Sequence, residues 1–252
     1  MVKTSTFVRS PLSPTRYPPE AFPWWGSVAF AGALFVATVV ALAAVVGFLL
    51  SLNLVSAKDF RGLSWANLLV QFASIAAPLA VLLPGLPALA RRPLRELGLR
   101  APRASDIPWA LAGAAAMFIV ATVLGAFQES AFHLKPDQVT VQWLRDARAP
   151  LVAALVVLAC VAAPIVEELT FRGFLFNAIL RYAPPWLAAI VSGILFGLAH
   201  WSTGVGSILP LGAAGIVLAV VYYRSGSLTA SILTHAIFNT FTVVVVLILH
   251  QA

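Results

Sequence analysis

The chain is 252 residues long, 61% hydrophobic and only 10% charged, with a mean hydropathy of +0.95. So much apolar surface excludes both a soluble globular domain and a disordered chain. The net charge of +7 does not point to nucleic acid, because the basic residues lie between apolar spans instead of gathering on one module; the lipid bilayer, with anionic headgroups, is the expected partner.

Uncharged apolar runs cover 26–57, 62–90, 107–128, 149–166, 182–223 and 225–252, and a membrane crossing needs about 20 apolar residues. The 182–223 run is long enough for two crossings, broken at Ser202-Thr203-Gly204-Val205-Gly206-Ser207. The expectation is an all-α, polytopic bundle of about seven transmembrane helices. The first run, Trp24 to about Leu54, is too long for the core of a signal peptide and reads as a retained helix. Residues 1–25 form an N-terminal tail with Lys3, Arg9 and Arg16, residues 26–149 form membrane helices with their loops, and residues 150–252 form the part that carries chemistry. Residues 128–149 make the longest polar connection and are expected outside the cell, with a short amphipathic piece. Most of the 16 Lys and Arg residues then fall on the side of the N-terminus, which predicts a cytoplasmic N-terminus in the cell's inner membrane. The block from Arg91 to Arg100 is expected as an interfacial segment on the cytoplasmic headgroups. Cys160, the single cysteine, excludes an intrachain disulfide and reads as packing.

An ionisable group at mid-depth in a bilayer costs about 2.5–3.5 kcal/mol even on the insertion scale, so each one needs a partner or a purpose. The candidates concentrate near the C-terminus: Glu167, Glu168 and Arg172, then His200, then His235 with Asn239. Glu168 and Arg172, four apart on a helix, share a face and pair. Glu167, turned about 100° from its neighbour, has no such cation and is the acid left to act as a general base; the alternative is one buried network of both acids with Arg172. Phe196 lies one turn before His200. If one helix runs from about 150 to 182 and the next returns after Pro184-Pro185, Glu167 and His200 each stand roughly 22 Å from the turn and meet at one depth. His235 and Asn239 set an imidazole and a carboxamide one turn apart, a pair able to hold an oxyanion or to bond neighbouring helices. A rigid vertical reading leaves His235 only about 13 Å from the loop at Gly226, so tilt or a shifted loop must bring it level with Glu167.

These residues resemble the CPBP family of intramembrane proteases, the CAAX-protease and bacteriocin-processing group that includes the Ras-converting enzyme. The family pattern Glu-Glu-x-x-x-Arg, Phe-x-x-x-His, His-x-x-x-Asn is met by Glu167, Glu168 and Arg172, by Phe196 and His200, and by His235 and Asn239. The resemblance implies that Glu167, assisted by His200, activates a water, that His235 and Asn239 stabilise the oxyanion, and that Glu168 with Arg172 sets the helix geometry. It implies a membrane-associated protein or peptide as substrate, with a peptide precursor or C-terminal tail favoured over a prenylated CAAX terminus. No cofactor is expected, although Glu167, His200 and His235 could offer one oxygen and two nitrogen ligands to zinc. Two other readings stand beside it: a proton-coupled transporter, which would be expected to carry charges on several helices of both halves, and a non-proteolytic immunity or scaffold protein of the same fold.

Overall fold

The computed structural model describes residues 18, 20–55, 64–135, 142–143 and 149–251. The sequence-predicted N-terminal tail falls largely outside them, as do 136–141 and 144–148 of the predicted amphipathic connection. The described residues form an all-α membrane bundle: α1 (Trp24–Ser51), α2 (Trp65–Ala90), α3 (Asp106–Phe132), α4 (Pro150–Leu180), α5 (Pro185–Ala199), α6 (Ile208–Ser225) and α7 (Leu228–Gln251). Six spans are long and apolar enough to cross a bilayer, and α5, with 15 residues, is the shorter one. At 1.5 Å per residue α5 reaches only about 22 Å, so the 182–223 run supplies one full crossing and one shorter helix. α3 extends to Phe132, beyond the apolar run; its Gln128 is buried because Nε2 donates to the Gly206 carbonyl in the turn before α6.

Helix α4 is not uniform. Its turns widen to π geometry at Leu158–Ala162 and again at Leu169–Phe176. The second wide stretch is satisfied by side chains: Asn177 Nδ2 is 2.9 Å from the carbonyls of Arg172 and Gly173, and Ser192 Oγ donates to that of Phe171. Such widening in a membrane helix needs replacement partners for the carbonyls it disturbs.

Helices α5 and α6 pack through small residues, Gly193 and Gly197 against Gly212 and Gly215. A Cβ at Gly197 would lie 2.8 Å from Gly212 N, so only glycine lets these backbones approach this closely. That contact fixes the end of α5, where His200 sits.

Part of the Arg91–Arg100 block packs on protein, while Arg91, Arg92 and Arg95 stay exposed at the end of α2. Residues 94–100 dock on the turn between α6 and α7. Thr229 N donates to Gly98 O at 3.2 Å, Thr229 Oγ1 to Arg100 O at 2.6 Å, and the Tyr222 hydroxyl to Leu97 O at 3.0 Å. Gly98 has φ +93°, and a Cβ there would lie 2.6 Å from Leu228 N. Leu97, Ser227 and Leu228 are fully buried as a result. Arg100 then closes on Asp106 at the start of α3 with two bonds, of 2.7 and 2.9 Å. The α6–α7 turn is therefore covered by protein.

Candidate active site

Glu168 and Arg172 are completely buried and pair at 2.9 Å. The arginine also donates to the Gly215 carbonyl at 2.7 Å and lies 4.8 Å from the centre of the Phe196 ring. Glu168 receives two further bonds from α7, from Ser231 Oγ to Oε2 at 2.6 Å and from His235 Nδ1 to Oε1 at 3.1 Å. A buried carboxylate is tolerable only when its oxygens are this fully engaged. Three helices are tied by this one group: α4 through the acid and the arginine, α6 through Gly215, and α7 through Ser231 and His235.

Glu167 points elsewhere, as its rotation of about 100° requires. Its Oε2 stands 3.9 Å from His200 Nε2 and 3.8 Å from His235 Nε2, and that oxygen is buried without a hydrogen-bond partner among the described residues. Both imidazoles are oriented by their far nitrogens. His200 Nδ1 lies 2.8 Å from the Phe196 carbonyl, which can only accept, so Nδ1 carries the proton and Nε2 faces the acid. His235 has its Nδ1 on Glu168 in the same way. Phe196 supports all of this from below: its ring centre lies 4.8 Å from that of His200 and 5.7 Å from that of His235.

Asn239 lines the same cavity, and Nδ2 donates to the Ala159 carbonyl at 2.7 Å. The sequence explains why that carbonyl is free. In the first wide turn the Ala163 N–H reaches back to Leu158, so it is not available to Ala159, and the next residue is Pro164, which has no N–H to give. The unclaimed acceptor is taken by Asn239, with one amide hydrogen left over.

The predicted residues Glu167, Phe196, His200, His235 and Asn239 thus line one cavity of about 220 Å³, with Glu168 and Arg172 packed behind it. Ser231 and Pro164 belong to the arrangement and were not singled out from the sequence. Ser231 stands one turn before His235 but carries no signal of its own, whereas Pro164 was readable as a helix-interior proline three residues before the acids. Ligands at 2.0–2.1 Å in a tetrahedral zinc site stand about 3.3 Å apart; Glu167, His200 and His235 are wider, and among the described residues no group of three His, Cys, Asp or Glu has a metal-holding arrangement.

Residues 149–241 match the model of a family described as type II CAAX prenyl endopeptidase Rce1-like. Over that stretch the chain is similar to the Rce1-like family. The matched segment contains every residue of the acid and histidine cluster. Among curated proteins, "Putative membrane peptidase YdiL" of Bacillus subtilis (strain 168) is 26% identical over 139 residues, 55% of this chain and 56% of that protein. An "Uncharacterized 24.3 kDa protein" of Escherichia coli is 27% identical over 132 residues, 51% of this chain and 59% of the other. The match spans a little over half the length of these relatives. No solved structure matches the chain.

Proposed function

We propose that the protein is an intramembrane endopeptidase that hydrolyses a peptide bond near the terminus of a membrane-associated protein or peptide. The observation that carries this reading is the approach of Glu167 Oε2 to within 3.9 Å of two imidazole nitrogens from two other helices, in a cavity inside the bundle. Those gaps are too long for direct hydrogen bonds and suit an intervening oxygen.

In this mechanism Glu167 takes a proton from water, with His200 Nε2 orienting the same oxygen. The oxygen bonds to the peptide carbonyl carbon. The carbonyl oxygen, now an anion, meets the second amide hydrogen of Asn239, beside the His235 imidazole. When the C–N bond breaks, the proton held by Glu167 passes to the leaving nitrogen. Glu168 and Arg172 touch no reacting atom and fix the helices that do. On this reading the hydrolysis is glutamate-driven, and cleavage should persist in chelator.

The described arginines at the C-terminal ends of α2, α4 and α6, with Arg100 and Arg103 before α3, lie at one end of the bundle. This bias supports a cytoplasmic location for that end, and with it the N-terminus, in a cell membrane.

The test compares membrane-protein termini in cells lacking the gene, cells restored with the native gene, and cells restored with Glu167→Gln. Termini that stay unprocessed in the first and third alone are expected. A Glu167→Gln strain that processes normally would sink the reading and favour a scaffold of the same fold.

A further inference from the structure

Helix α2 lies outside the Rce1-like match, yet it forms a wall of the cavity. Its polar side chains Asn67, Gln71 and Ser74 are spaced four and three apart, on one face of an otherwise apolar helix. Gln71 and Ser74 line the cavity together with Glu167 and His235. Ser74 Oγ is occupied, donating to the Gln71 carbonyl at 2.7 Å, whereas Gln71 Nε2 has no acceptor among the described residues. A second feature points the same way. Pro78 sits inside α2 and has no N–H, so the Ser74 carbonyl lacks its usual helical donor. This wall therefore offers a carboxamide donor and acceptor beside a spare backbone acceptor, in a setting where unused polar groups are costly.

The cavity also touches Leu155, twelve residues before Glu167 on α4 and so about 18 Å from it along the helix. A peptide bond inside a helix keeps its carbonyl in the i to i−4 hydrogen bond, so the stretch presented to Glu167 for attack has to be unwound. An extended strand of about five residues spans the same distance. Such a strand inside a bilayer has lost its internal hydrogen bonds, and its N–H and C=O groups must find partners on the protein.

We propose that the Gln71–Ser74 face of α2 binds the main chain of an extended substrate segment and holds it beside Glu167. This rests on the hydrolytic reading above and adds the substrate class, an unwound polypeptide recognised through its backbone.

The test uses the full chain in lipid nanodiscs with a peptide mixture from a membrane-protein digest, new termini being read by mass spectrometry. The best-cleaved peptide is then resynthesised with single backbone N-methyl groups near the cut. Wild type should lose about tenfold in kcat/KM at one or two of these positions, the worth of one hydrogen bond. Gln71→Leu should raise KM by about tenfold with kcat nearly kept, and should no longer distinguish the same N-methylated peptide. Pro78→Ala, which returns a donor to the Ser74 carbonyl and leaves every cavity side chain in place, should raise KM less and keeps the assay readable should Gln71→Leu not fold. Cleavage abolished by Glu167→Gln, but with KM and the N-methyl penalty unchanged in both α2 variants, would overturn this inference and leave hydrolysis standing. Absence of any Glu167-dependent cleavage would overturn both.

Discussion

Helices α1 and α6 are both apolar enough to cross a membrane, yet 11% of the apolar stretch of α1 is buried in the protein against 61% of that of α6. The more hydropathic of the two is the less buried, with 2.8 against 2.1. Hydropathy marks what crosses, because lipid accepts apolar side chains as readily as protein does. What packs is marked by small residues and by polar groups that need partners: Gly212 and Gly215 on α6 meet α5, and the Gly215 carbonyl holds Arg172. Small residues alone do not decide it: α1 is also rich in glycine and alanine, yet Gly32 and Gly47 meet no neighbour among the described residues, and Phe35 and Val40 face outward.

This contrast can be broken or sharpened by substitution. Glu167→Gln is expected to lower cleavage by about 10²–10⁴, the usual contribution of a general base, with the thermal unfolding midpoint in detergent unchanged. Arg172→Met leaves Glu168 buried without its cation and should cost about 3–5 kcal/mol of stability, read as a lower unfolding midpoint together with lost activity. Gly197→Ala should cost about 1–3 kcal/mol through overpacking of the α5–α6 contact and reduce cleavage by displacing His200. Phe35→Leu on α1 should change stability by less than about 0.5 kcal/mol and leave cleavage alone. A large loss from Phe35→Leu, or none from Arg172→Met, would reverse the division between the lipid-facing helix and the packed ones.

Much of this was legible in the chain. The apolar runs located α1 to α3, and the four-residue spacing of Glu168 and Arg172 set both their pairing and the opposite aim of Glu167. Equal counts from the Pro184-Pro185 turn brought His200 to the depth of Glu167. Other features depend on contacts that no local pattern encodes. The break between α5 and α6 was legible at 202–207, whereas the shortness of α5 and its glycine contact with α6 were not. Gly98 docks on Leu228, a pairing across 130 positions that spacing cannot supply. Ser231 reads as an ordinary helix serine until Glu168 is placed beside it.

The wide turn at 158–162 separates two parts of α4 that obey different demands. Beyond it, Glu168, Arg172 and Ser231 pin the helix, and Asn239 grips the Ala159 carbonyl within the turn. Removing a single residue from the turn would restore ordinary pitch and erase that grip, and the resulting rotation of about 100° would swing Leu155 out of its seat against Leu68 and Val243. The turn thus has no residue to spare, because its length sets the grip at 159 and the packing of 149–157 together.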